Sequence, residues 1–389
     1  GWANATSDLR GAIIAMANPT GGSETHKAVY IRDGEYSSKQ LLTGTAFPLN
    51  MDAKTGDATY VNSLTIKGSY NEANKQDFSK PTVITSYSGV ETQRLMNIAT
   101  NGKPVFIEGI MFNNPSEDSQ GEWKGNAIEG TGDNLTLGNV AFRGNAGTGV
   151  VLGTQGENPS VGNALIYNTL FADGGTGLDI VNGGATVVNA TFANNGTAIN
   201  GTASVFNSVS WKSGGGVSEG NNNAVLTADN GDIQNGPNFV DPDNGDYRIR
   251  PSMMLLNKGN DAHYKNYVED VVVEGINYVD VDDPKRPKHQ YDLAYVTRKV
   301  IRIYIVAYEY AAPLSQILYV KSGVVGSDES GESWTNAISD LQGAINLASI
   351  YANVNKGQTG YVFVHNNVAA NNVRVAMPNV KAYGSMNDE

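Results

Sequence analysis

The chain has 389 residues, 27 basic and 39 acidic side chains for a net charge of −12, and 40% hydrophobic content. Its 45 glycines, well above the ~7% usual for globular chains, and its abundant asparagines exclude a mainly helical protein, because both residues favour turns and left-handed backbone. The hydrophobic share supports a core rather than disorder, and the acidic balance argues against general attraction to nucleic-acid phosphates.

Absence of cysteine removes disulfides, thiolate metal sites and cysteine nucleophiles together. His26, His263, His289 and His365 are scattered, with no His-x-His or His-x-x-x-His pair, so a clustered histidine zinc site is not expected. No run of ~18 apolar residues occurs that would span a membrane as a helix. The opening Gly1-Trp2-Ala3-Asn4 has neither an initiating Met nor a basic and apolar leader, which places any targeting signal outside these residues.

The first element is a helix expected over about 6–17, and it introduces an internal repeat. Trp2-Ala-Asn4-Ala5-Thr-Ser7-Asp8-Leu9 returns as Trp334-Thr-Asn336-Ala337-Ile-Ser339-Asp340-Leu341, an offset of 332. Ala28-Val-Tyr30-Ile31 loosely matches Gly360-Tyr361-Val-Phe363, and Leu64-Thr-Ile66-Lys67-Gly68-Ser69-Tyr70 echoes Val380-Lys381-Ala-Tyr383-Gly384-Ser385-Met386. The chain therefore divides into a first unit, 1–315, and the beginning of a second, 316–389. Each helix should cover the open end of a sheet. Ser339 and Gln342 have capping-box spacing, and Trp2 and Trp334, being equivalent, are expected to pack beneath the helix. A piece as short as 317–389 should not bury a core alone, so further copies are expected in the same polypeptide.

From about 60 to 235, short β-branched and aromatic runs alternate with Gly and Asn. Phe106-Ile-Glu-Gly109-Ile-Met-Phe112, Leu137-Gly-Asn139-Val-Ala-Phe142, Ile166-Tyr-Asn168-Thr-Leu-Phe171, Val187-Val-Asn189-Ala-Thr-Phe192 and Val205-Phe-Asn207-Ser-Val-Ser-Trp211 share one template. The intervals between successive Asn are 29, 21 and 18 residues, too long for the 8–12-residue rhythm of a sandwich of hairpins. Uneven intervals of this size suit a solenoid whose turns carry insertions. The expected fold is all-β, a right-handed parallel β-helix with a short capping helix, in which Asn139, Asn168, Asn189 and Asn207 stack as an amide ladder.

A C-terminal element of the first unit, 236–312, opens with Phe239-Val-Asp241-Pro242-Asp243-Asn244-Gly245-Asp246-Tyr247-Arg248. The order of an opening Trp-x-Asn-Ala-x-x-Asp-Leu helix, Asn-rich coils, this segment and a closing Ala307-Tyr308-Glu309-Tyr310 resembles the right-handed β-helix proteins secreted or surface-displayed by Bacteroidetes and related bacteria. The resemblance covers nearly the whole chain. It departs at Val306, where the family has glycine, and at Arg302-Ile-Tyr304, which lacks the usual acidic residue. That architecture hosts adhesins, glycan-binding proteins and polysaccharide-cleaving enzymes, so the resemblance implies an extracellular or cell-surface place without choosing among them.

A hydrolase needs two carboxylates ~5–9.5 Å apart, and matching positions on neighbouring coils lie ~4.8 Å apart. Glu108, Glu129, Asp133, Asp173 and Asp179 are the acidic candidates, with Lys124, Arg143 and Lys212 the basic ones. Arg143 and Asp173 fall at similar places on successive coils, as an ion pair on one face and as candidate glycan contacts. No polygalacturonase-like Asn-x-Asp, Asp-Asp, His-Gly and Arg-Ile-Lys series occurs, nor a lyase-like Arg-x-Pro-x-x-Arg. Asp241, Asp243 and Asp246 are the weak candidates for a structural calcium ion, but Gly245 comes one place early for an EF-hand loop and Ser252 stands where its Glu should be. Turn chemistry accounts for the cluster more simply. Trp123 and Trp211, without counterparts in the repeat, are candidates to stack on a sugar ring.

The reading that follows is a non-enzymatic module for adhesion or glycan binding, needing no cofactor, with a glycan or another surface protein as partner. A polysaccharide lyase or glycoside hydrolase is the alternative, and a structural spacer in a tandem array the third.

Overall fold

The computed structural model describes residues 5, 8–12, 26–37, 49–52, 63–77, 80–86, 91–100, 104–122, 124–130, 134–153, 163–230, 232, 235–251, 255, 258–269, 307, 315–324, 329–355, 358–369, 373, 375 and 379–387. Trp2, Trp123, Asp133 and the closing motif apart from Ala307 lie outside them.

The protein is mostly β. Three long sheets, all parallel, run side by side, and in each the strands stack in sequence order. The chain visits them in turn. One circuit passes through Leu135–Gly138 in a seven-stranded sheet, Ala141–Arg143 in an eight-stranded sheet and Thr148–Leu152 in a six-stranded sheet. The next takes Asn163–Tyr167, Leu170–Ala172 and Thr176–Ile180, and a third Gly184–Val188, Thr191–Ala193 and Thr197–Asn200. This arrangement is compatible with a parallel β-helix. The stacked strands begin at His26–Arg32, well before residue 60, and end with Ala224–Leu226.

Inward residues form columns. Ile66, Ile107, Leu137, Ile166, Val187 and Val205 face one another in register across the seven-stranded sheet, and all are buried. In the eight-stranded sheet Phe112, Phe142, Phe171 and Phe192 stack with ring centroids 5.4, 5.0 and 4.9 Å apart. The column ends at Ser210, which pairs with Phe192, so Trp211 stands one place beyond the template position. Space for the rings comes from the six-stranded sheet. A Cβ on Gly149 would lie 2.7 Å from the Gly177 carbonyl and 3.1 Å from both Phe142 and Phe171.

The corner between the first two sheets explains the recurring Asn. Asn139, Asn168, Asn189 and Asn207 all have left-handed backbone, with φ of 52°, 49°, 56° and 49°, and Gly109 holds the same place one circuit earlier at 74°. Asn and Gly are the residues that tolerate this conformation best.

Only residues 8–12 of the expected first helix are described; 9–12 form one helical turn, with the Gly11 amide donating to Asp8 at 2.9 Å. In the second unit the helix Leu341–Val354 covers a parallel sheet of Ile317–Val320, Gly360–His365 and Val380–Met386. Its cap corrects the sequence assignment. Asp340, equivalent to Asp8, accepts from the amides of Gln342 and Gly343 at 2.9 and 3.1 Å. Ser339 instead directs its hydroxyl and amide to Glu329, and the Gln342 side chain bonds Asn346. The expected place of Trp334 is corrected too. Its ring rests against Tyr319 and His365, whose positions alternate with the buried Leu318, Val320 and Val364, so it lies on the face away from the helix.

Candidate functional site

The outer face of the eight-stranded sheet changes character along the stack. In its early circuits Glu35, Val83 and Met111 are aligned in one row, with Thr85 and Asn113 aligned in the next. Later circuits place Leu170, Ala172, Ala193, Val209 and Trp211 outward, and these are buried with Phe239, Tyr247 and Ile249. The covering element is an antiparallel hairpin, Phe239–Asp241 with Asp246–Ile249. Small residues at 172 and 193 let it lie close. The uncovered part and the hairpin's flank bound an open groove of about 640 Å³, whose lining includes Glu35, Thr85, Met111, Asn113, Arg143, Asp173 and Asp243.

Arg143 stands at the boundary. Its guanidinium reaches the Asp173 carboxylate at 3.4 Å and the Asn244 carbonyl at 3.1 Å. It lies against Gly245, whose left-handed φ of 79° caps the short turn Pro242–Asn244 and where a Cβ would collide with the guanidinium. Asp173 in turn accepts from the Tyr247 hydroxyl at 2.6 Å and the Asn194 amide at 3.3 Å. Burial, then the neighbouring Asp173 carboxylate, push the Tyr247 phenol well above its ordinary range. Asn113 donates to the Arg143 carbonyl at 2.7 Å and accepts from Thr85 at 3.2 Å. The sequence brings Arg143 and Asp173 together correctly in space, though in register Arg143 pairs with Ala172 and Gly144 is the neighbour of Asp173.

The other candidates disperse. Glu108 pairs with Lys67 at 3.2 Å and Glu129 with Arg94 at 2.7 Å, on two different sheets. Asp179 accepts from Asn200, and Lys212 pairs with Asp229. Trp211 is corrected as a sugar-stacking candidate. It is only 3% exposed, packs edge-on against Phe239 at 5.5 Å and donates its indole N–H to the Ala228 carbonyl, so its ring anchors the hairpin. Asp241 caps the turn through the Asn244 amide and side chain. Asp246 is held by Arg248; burial opposes ionisation, but the hydrogen bonds from Arg248 and the charges of Arg248 and Arg250 keep its carboxyl below the ordinary range. Asp243 lines the groove. Among the described residues no three His, Asp or Glu side chains group as a metal site.

The Asn column is buried, with Asn168 donating to Asn139 at 3.0 Å and Asn207 to Asn189 at 3.4 Å. Tyr264 and Asn260 bond Asn168 and Asn207 respectively, tying residues 260–269 to this corner.

Sequence reasoning missed Glu35, Asn113, Asn194 and Tyr247. One signal was available: Gly144, Asp173, Asn194 and Lys212 form a second left-handed column, two residues past each template aromatic or its equivalent. Compared with protein-family models, curated proteins and solved structures, the chain matches none of them.

Proposed function

We propose that this chain belongs to an extracellular or cell-surface right-handed parallel β-helix protein of the Bacteroidetes type, and that it works by binding a glycan or the surface of another protein, without catalysis. The observation that carries this reading is the groove on the eight-stranded sheet: long, open, polar, and crossing several circuits. A solenoid offers such an extended surface to an extended ligand. Its amides and hydroxyls at Asn113 and Thr85 suit sugar hydroxyls, while Val83 and Met111 suit the apolar faces of the rings.

The charged groups favour binding over cleavage. Arg143 and Asp173 are engaged with each other and with the hairpin, so neither is disposed as a base or nucleophile. The second reading, a lyase or hydrolase, draws on Glu35 and Asp243 lining the same groove.

The test is retention of the whole chain on immobilised neutral and uronate-bearing oligosaccharides. Binding that weakens about tenfold, worth ~1.4 kcal/mol, in Asn113→Ala supports the groove. Release of reducing or unsaturated ends by the pure protein would replace the binding reading with the enzymatic one. Retention on none of the sugars would overturn glycan recognition there.

A further inference from the structure

The three-stranded sheet of the second unit carries a feature that neither the groove nor the fold requires. Tyr319, Phe363 and Tyr383 stand side by side across its three strands, with centroids 5.8 and 5.6 Å apart. Tyr361 lies 6.5 Å from Tyr383 and nearly parallel to it, at 20°. Trp334 meets Tyr319 edge-on at 4.8 Å and His365 at 5.7 Å. These positions alternate with the buried Leu318, Val320, Val362 and Val364, which pack under the helix, so the rings share the opposite face. Tyr383 is 44% exposed, and Trp334, Phe363 and Tyr361 are partly open.

The frame alone does not explain the row. In the first unit the strands His26–Arg32 and Ser63–Tyr70 repeat the pairing of Gly360–His365 with Val380–Met386, with the same break in register. There the residue aligned with Tyr383 is Lys67, in an ion pair with Glu108 at 3.2 Å. The scaffold thus accepts charge where the second unit has an aromatic ring. Partly exposed rings forfeit hydrophobic burial, and a row of them is costly unless something covers it.

Beside Trp334 lies a cavity of about 330 Å³ lined by Lys321, Gly323, Val324, Trp334 and Thr335. That volume is at the small end of ligand sites. Lys381, paired in register with Tyr361, adds a second cation near the ring row of an otherwise acidic chain; Glu332 is the exposed acid two residues before Trp334.

We infer that this face is a second binding site, an aromatic platform for the pyranose rings of a glycan chain. A pyranose presents a C–H face that lies on an aromatic ring and a rim of hydroxyls for the amino, hydroxyl and imidazole groups around it. Tyrosine suits both, being apolar in body and polar at its tip. Nucleic acid is disfavoured by the net charge of −12. The inference stands on different residues from the groove and does not rest on it.

Titrating the whole chain with cellohexaose and with hexagalacturonate, while following tryptophan fluorescence, tests the site. At least one sugar is expected to bind with a fluorescence change that is lost in Trp334→Phe. Affinity is expected to fall at least tenfold in Tyr383→Ala and to recover in Tyr383→Phe. Preference for the uronate would assign a part to Lys321 and Lys381, whereas equal binding would leave recognition to the ring faces. Binding of neither sugar, or undiminished affinity in Trp334→Ala and Tyr383→Ala, would overturn the platform. Because Tyr383 is exposed, its replacement leaves the fold intact, which circular dichroism checks. Groove failure is read separately, at Asn113.

Discussion

Ser69 and Ser385 occupy matching left-handed corners in two separate pairs of parallel strands, with φ of 64° and 60°. In both pairs the register slips at that place, between Tyr30 and Arg32 in the first and between Phe363 and His365 in the second. Left-handed backbone costs a residue with a Cβ about 1–2 kcal/mol, so its return at an equivalent serine reflects a requirement of the unit. Ser69 meets part of that cost locally, its hydroxyl donating to the Gly109 carbonyl and its amide to Thr82, both at 2.6 Å. The register also places Phe363 on Tyr30, one residue later than the spacing that relates Asp340 to Asp8. The units therefore differ by one residue between helix and strand.

The corner Asn residues give the first prediction. Asn189→Ala removes a buried acceptor of Asn207 and puts a Cβ-bearing residue without a side-chain amide into left-handed backbone. The expected loss is about 1–3 kcal/mol from the unpaired groups, plus part of the conformational cost. Asn189→Gly, which copies Gly109, should recover the conformational part only. Urea melts of the three proteins separate the two contributions; equal stability of Asn189→Ala and the parent would refute the role assigned to the column.

Docking of the hairpin rests on Tyr247, whose hydroxyl meets both Asp173 and Asn194. Tyr247→Phe should cost about 1–3 kcal/mol, since a bond to a carboxylate is lost with both partners left in place. The pH dependence has a definite sign. A phenol raised in the fold favours its neutral form there, so its contribution is complete below the ordinary value of ~10 and is lost as pH rises beyond it. Midpoints measured from pH 8 to 11 should therefore fall more steeply for the parent than for Tyr247→Phe, and parallel curves would count against the assignment.

Helix capping supplies the third. Asp340→Ala should lower stability by about 0.5–2 kcal/mol, with Asp340→Asn retaining most of it. Amide exchange localises the effect. Gln342 and Gly343 should exchange faster in Asp340→Ala but not in Ser339→Ala, because the Ser339 hydroxyl serves Glu329. Acceleration of these two amides in Ser339→Ala would restore the serine as cap.

What the sequence revealed of this architecture was whatever recurs. The inward column from Ile107 through Val205 and the corner Asn could be aligned because each circuit repeats them, and the interval of 29 residues between Asn139 and Asn168 is the span of one side-chain hydrogen bond. Ser339 and Asp340 are both good caps, and only the capture of Ser339 by Glu329 decides between them. The burial of Trp211 was hidden because its cover, Phe239 and Tyr247, comes from a hairpin outside the repeat. For the same reason the groove could be only half seen. Arg143, Asp173 and Asn194 follow template aromatics, whereas Glu35 acquires its place from stacking and Tyr247 from the position of the hairpin.

The phenylalanine column tests whether neighbouring circuits stabilise one another. Phe142 and Phe171 are nearly parallel at 5.0 Å, while Phe112 and Phe192 are separated by two further rings. Phe171→Ala alone should cost about 3–5 kcal/mol, as a fully buried ring lost from a packed column. Coupling is the sharper quantity. In a solenoid the interaction terms are those between nearest neighbours, so Phe142→Leu and Phe171→Leu should show a coupling of about 0.5–1.5 kcal/mol. Phe112→Leu and Phe192→Leu should be additive to within about 0.5 kcal/mol. Gly149→Ala offers an independent check, since its added Cβ meets both Phe142 and Phe171 and the Gly177 carbonyl; overpacking of this kind costs about 1–3 kcal/mol. Double-mutant cycles by urea denaturation measure all of these, and equal coupling in the near and distant pairs would mean that the rings do not act through contact along the stack.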